Sequence, residues 1–169
     1  YLMKVLPNGA LGQLYCGQAI RDRENFDHLL EMKHRPMSSW VFEGNKLFSL
    51  EHCRQEYPSY GSTDYRHPAV QLIQPDGSRI TDFVCESHSV TPGKPALEGL
   101  PATYCESGGE AETLTVHLRD ELLGVTLDLN YTLFADFPVL ARSARLVNGG
   151  SQDLHLTHAM SLCLDLPDS

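Results

Sequence analysis

The chain has 169 residues, enough for one domain of ordinary size and too few for a (β/α)8 barrel of roughly 250 residues. Hydrophobic residues make up 41% and charged residues 21%, a composition that buries a core and excludes an intrinsically disordered chain. Thirteen Lys and Arg stand against 22 Asp and Glu, a formal charge of −9, the wrong sign for a nucleic-acid-binding surface.

The negative charge is unevenly placed. Residues 1–68 carry eight basic and eight acidic side chains, and residues 69–169 carry five and fourteen. A sugar-facing or anion-tolerant site is therefore expected in the first part; the acidic part also fits a solvated surface that aids solubility. The start, Tyr1-Leu2-Met3-Lys4, lacks a signal peptide's charged-then-apolar order, and no run approaches the ~20 apolar residues that span a bilayer. No membrane association is expected. Cys16, Cys53, Cys85, Cys105 and Cys163 are odd in number, with no C-x-x-C pair, and read as free thiols in a cytoplasmic protein.

In chain order, Pro7-Asn8-Gly9 reads as the first hairpin turn. Residues 22–47, with His28, His34 and Trp40, lack sustained periodicity and read as a long excursion of the kind that often carries function. Helix is expected only as single turns near 26–31 and 50–54. Pro75-Asp76-Gly77 reads as a second hairpin turn, and the Pro- and Gly-rich residues 86–112 as an irregular connection. Period-two alternation then predicts strands over 114–118 and 125–133, joined by a hairpin loop at Asp120-Glu121-Leu122-Leu123-Gly124. Asn148-Gly149-Gly150 reads as a third hairpin turn. Residues 154–166 read as a long half-buried strand with Leu154, Leu156, Met160, Leu162, Leu164 and Leu166 on one face. Many short strands with Gly and Pro turns predict an all-β antiparallel β-sandwich with little helix.

Few residue patterns signal self-contained chemistry. On a strand, the odd separation of His155 and His158 sends them to opposite faces, so they do not share a metal; His158 is expected as a hydrogen-bonded core histidine. No metal site and no cofactor are expected. There is no G-x-S-x-G elbow, Gly-rich phosphate loop or H-E-x-x-H helix. Glu106, Glu110 and Glu112 sit in a polar turn and read as a solvated loop rather than a glycosidase pair, which needs two carboxylates ~5–9.5 Å apart. The sequon Asn130-Tyr131-Thr132 lies inside a strand and reads as chance. Residues 55–68 are the densest segment. Their tyrosines suit the apolar face of a sugar while Asp64 and Arg66 suit its hydroxyls; an aromatic-lined corner with an Asp64–Arg66 ion pair, or an inter-domain contact, fits equally.

At this segment the chain resembles the N-terminal domain of bacterial α-galactosidases of glycoside hydrolase family thirty-six. The resemblance is carried by Phe48-Ser49-Leu50, Gln55-Glu56-Tyr57-Pro58, Tyr60-Gly61-Ser62-Thr63-Asp64-Tyr65-Arg66, Gly93-Lys94-Pro95 and Gly99-Leu100-Pro101-Ala102-Thr103-Tyr104. It continues through Glu110-Ala111-Glu112-Thr113-Leu114, Arg142-Ser143-Ala144-Arg145 and Leu164-Asp165-Leu166-Pro167. The ordered matches run along essentially the whole chain. The chain opens without Met and stops directly after a strand-like run, so it is expected to be one domain of something longer.

The resemblance implies a β-supersandwich attached to a catalytic (β/α)8 barrel and a C-terminal β-sandwich, neither of which this chain holds. It implies a retaining hydrolase of terminal α-galactosides such as melibiose and raffinose-type oligosaccharides, with both catalytic aspartates in the barrel and none here. It further implies a homo-oligomer, a tetramer, in which a loop of this domain closes the sugar pocket of a neighbouring subunit. That loop corresponds to residues 33–47. Lys46, ahead of Phe48-Ser49-Leu50, and Trp40 are the candidate substrate-binding residues, followed by Arg35 and His34, where the family pattern has a carboxylate and this chain has none. The alternative is an autonomous carbohydrate-binding β-sandwich without hydrolase activity.

Overall fold

The computed structural model describes residues 1–30, 45, 47–99 and 102–164. The fold is all-β and antiparallel, the class predicted from the alternation. Two compact units divide the chain: the segment Cys85–Gly150 forms one, and the chain on either side of it forms the other.

The flanking unit begins with strands β1 (Leu2–Val5) and β2 (Leu11–Tyr15), an antiparallel hairpin. Its turn is the predicted one: the Gly9 amide donates to the Leu6 carbonyl and the Leu6 amide to the Ala10 carbonyl, each at 2.8 Å. Gly9 has φ +88°, and a Cβ there would lie 2.6 Å from a Val84 methyl, so both conformation and space require glycine. Buried Leu6 and Ala10 pack with Phe48, Leu50 and Cys53, and Leu30 covers the cluster. The expected helical turn near 26–31 is a single 3-10 turn, Asp27–Leu29. The one expected at 50–54 is not helical; the chain there makes a turn in which the His52 amide donates to Ser49.

Strand β3 (Val70–Ile73) and strand β8 (His155–Ala159) form this unit's second sheet, with a bulge between Gln71 and Leu72. The predicted 154–166 strand is thus much shorter. β3 offers only four residues to pair with, and Leu156 and Leu162 are each 47% exposed rather than buried. His158 packs edge-on against His67, ring centroids 4.6 Å apart. Its Nε2 is buried with no hydrogen-bond partner among the described residues, contrary to the expected bonded core histidine. Pro75-Asp76-Gly77 does turn the chain, with the Gly77 amide on Gln74 and the Gln74 amide on Ser78. No strand returns beside β3 there, because its ladder partner is β8.

The inserted unit is one four-stranded sheet in chain order: β4 (Val84–Pro92), β5 (Ala111–Asp120), β6 (Val125–Phe134) and β7 (Leu140–Asn148). β5 and β6 are the predicted pair, and their loop closes where Asp120 Oδ1 accepts the Leu123 amide at 3.0 Å. Alternation sorts their faces: Val116 opposes Leu129 and Leu118 opposes Leu127, while His117 opposes Asp128 and Thr115 opposes Asn130. β4 corrects the irregular reading of 86–112, since a strand exposed almost throughout shows no apolar alternation. Asn148-Gly149-Gly150 is no hairpin turn, because β7 pairs with β6 and the next strand, β8, pairs with β3.

A polar pair is sealed inside this sheet. Thr113, fully buried, donates its hydroxyl to the Gly93 carbonyl at 2.7 Å, so Thr132 must donate to Thr113, also at 2.7 Å. Thr113→Val is expected to cost about 1–3 kcal/mol by stranding both groups, read as a lower denaturation midpoint. An unchanged midpoint would refute that bonding.

Candidate functional site

Residues 58–69 form a compact surface loop closed at its ends, where the Ala69 amide donates to Pro58 at 2.7 Å and the Tyr60 amide to Val70 at 3.1 Å. The preceding residues anchor it. The Glu56 amide donates to Leu11, Tyr1 donates its hydroxyl to the fully buried Glu56 carboxylate, and buried Tyr57 donates to the Met160 carbonyl. Gln55 Nε2 donates to Ser62 Oγ at 3.0 Å, and that hydroxyl to the Ser59 carbonyl at 2.8 Å.

On this frame sits a cleft of about 370 Å³ lined by Tyr60, Thr63, Asp64, Tyr65 and Arg66. Asp64 and Arg66 meet as a fork: Nε lies 2.9 Å from Oδ1 and Nη2 lies 2.6 Å from Oδ2. Nη2 also donates to the Gln55 carbonyl at 2.8 Å, and the Asp64 side chain is only 5% exposed. This is the ion-paired corner anticipated as one reading. Carboxylate and guanidinium are committed to each other, which suits a fixed scaffold and not proton transfer. The tyrosines remain open, Tyr65 at 78% exposure and Tyr60 at 43%, with the Arg79 guanidinium 6.0 Å from the Tyr60 ring. Such faces suit a sugar ring or another protein surface.

Thr63 was not singled out from sequence. Its φ is +64°, a left-handed conformation that costs a β-branched residue on the order of 1–3 kcal/mol. Its Oγ1 is buried with no hydrogen-bond partner among the described residues. No local pattern marks it, since neighbouring Gly61 already supplies a positive φ of its own. Thr63→Gly is expected to raise stability by about 1 kcal/mol, measured as a higher unfolding midpoint; a lower one would show that the hydroxyl has a role.

Of the other acidic candidates, Glu106 and Glu110 lie in the expected polar turn, whereas Glu112 stands in β5 opposite Leu133 and not in a loop. Glu110 accepts the Glu106 amide, the Ser107 amide and the Ser107 hydroxyl at 2.9–3.1 Å. These bonds, the Glu106 amide first, hold its carboxyl below the usual glutamate range. No group of three or more His, Cys, Asp or Glu side chains that would hold a metal occurs among the described residues. His34, Arg35, Trp40 and Lys46 lie outside the described residues.

The antiparallel sheets and the tyrosine-lined corner define a class before any relative is considered: an all-β domain. Residues 9–169 match the glycosyl hydrolase family 36 N-terminal domain, and the chain belongs to that family. It is 40% identical over 167 residues to the α-galactosidase AgaA of Geobacillus stearothermophilus, covering 99% of this chain and 23% of that enzyme. An α-galactosidase of Lactobacillus acidophilus is 33% identical over 174 residues, again with 99% of this chain and 23% of the relative covered. The solved α-galactosidase of Lactobacillus brevis superposes with a TM-score of 0.91 at 36% identity, covering 98% of this chain and 22% of that one. A variant of AgaA crystallised with raffinose gives 0.87 at 40% identity, with 95% and 22% covered. The chain thus spans under a quarter of the length of these relatives, which are α-galactosidases when whole.

Proposed function

We propose that this chain is the non-catalytic N-terminal domain of a retaining α-galactosidase acting on terminal α-galactosides of the melibiose and raffinose type. The observation that carries the reading is the match of residues 9–169 together with α-galactosidases 33–40% identical over nearly the whole chain. The raffinose and stachyose complexes of related enzymes support the substrate class. In this reading the domain assists assembly of a homotetramer, packs with its own (β/α)8 barrel, and lends residues 33–47 to a neighbouring subunit's pocket, where Lys46, Trp40, Arg35 and His34 approach the sugar. Such a loop excludes water and orients the substrate, a positioning contribution. The five free cysteines suit a cytoplasmic enzyme.

The Asp64 carboxylate is spent on Arg66, which supports a tyrosine-lined corner without acid–base chemistry. An aryl α-galactoside assay tests this directly. The protein with its native continuation is expected to turn over the substrate and residues 1–169 alone to show none. Turnover by the shorter chain would overturn the non-catalytic reading, and inactivity of the longer one would overturn the α-galactosidase reading.

A further inference from the structure

The inserted unit holds a cleft that the reading above does not use. It lies between the β6–β7 connection and the segment leading into β5, measures about 390 Å³, and is lined by Tyr104, Glu110, Phe134, Asp136, Phe137 and Val139. Tyr104 is 78% exposed and Phe137 67%, so two large rings face solvent in one hollow. Isolated exposed aromatics are ordinary; several converging on a concavity with polar groups are not.

The walls are held in place. The Ala135 amide donates to the Glu110 carbonyl at 2.9 Å, tying the end of β6 to the start of β5. The Val139 amide donates to the Phe137 carbonyl at 2.7 Å across Pro138, a three-residue turn that sets the backbone at Phe137. The Glu110 carboxylate is fixed by its three donors. Its Oε1 accepts two hydrogen bonds and its Oε2 only one, so Oε2 keeps capacity for a further donor.

We infer that this cleft binds a neutral hexopyranose ring, the apolar ring face stacking on Tyr104 and Phe137 while Glu110 Oε2 and Asp136 accept hydroxyl protons. The ligand must offer an apolar face and several donors at once, which a pyranose does. A protein partner fits less well, because interface centres are depleted in Asp and Glu, whereas here two carboxylates share the hollow with the rings. The charge of Glu110 is met by donors from its own turn, so it acts as a placed acceptor rather than as bait for a cation.

The choice of galactose as probe rests on the α-galactosidase reading; the cleft does not. Equilibrium dialysis of the full-length protein against radiolabelled galactose counts sugar bound per chain, and hydrolysis of an aryl α-galactoside is followed on the same samples. Phe137→Ala, at an exposed position, is expected to lower the count by one per chain with hydrolysis unchanged, and Tyr104→Ala to do the same. An unchanged count in both variants overturns the cleft site. A count that falls by one in a protein without hydrolysis sustains the cleft and overturns the enzyme reading instead.

Discussion

Replacing Arg66 with alanine is expected to lower stability by about 3 kcal/mol. The substitution removes both arms of the fork on Asp64 and the donor to the Gln55 carbonyl. Asp64, with only 5% of its side chain exposed, would then sit without its counter-charge, and an abandoned buried carboxylate costs far more than a broken surface pair. Arg66→Lys restores the charge but not the planar two-point geometry, and is expected to recover less than half of the loss. Equilibrium denaturation of the three proteins reads this as an ordered series of midpoints. Equal midpoints for Arg66→Ala and wild type would mean that the fork adds nothing to folding and that the residue is held for another purpose.

A loss of about 3–5 kcal/mol is expected for Phe48→Ala. Phe48 is 2% exposed among Leu6, Ala10, Leu50 and Cys53, a cluster assembled from the first hairpin turn and the segment before the tyrosine loop. The neighbours include two small residues, Ala10 and Cys53, which cannot swing in to fill the space. Phe48→Leu keeps most of the volume and is expected to cost about 1.5 kcal/mol or less. Thermal unfolding of both variants gives the comparison, and similar midpoints for the two would show that the cluster collapses around the smaller side chain.

What was legible in the sequence follows how each strand is buried. β5 and β6 were readable because one face of each is packed and the other wet, so Leu118, Leu127 and Leu129 alternate with His117, Asp128 and Asn130. β4 was not, because nearly every residue from Val84 to Pro92 is exposed and nothing selects an alternating pattern. In β8 the alternation runs past the point where β3 ends, so pattern alone overstates the strand. Turn chemistry placed the bends correctly at Gly9 and Gly77, but no local signal states which strand comes back to pair. The Asp64–Arg66 fork was visible as two complementary residues two apart. The cleft at Tyr104 and Phe137 was not, because those two rings lie more than thirty positions apart and their segments are brought together by the β5–β6 pairing and the bond from Ala135 to Glu110.

The pairing of β3 with β8 has a consequence for how the chain is made. Thr157 reaches the Gln71 carbonyl across a sequence separation of 86, whereas the strands of the inserted sheet pair with their neighbours in sequence. During synthesis the inserted sheet is complete once residue 150 has left the ribosome, while β3 still waits for its partner. For that interval β3, whose Val70 and Leu72 are each 1% exposed in the finished fold, keeps the strand edge that β8 will pair with open. That is the stage at which nascent chains adhere to one another and at which a chaperone has something to hold. Translation halted just after residue 150 would leave the edge open permanently.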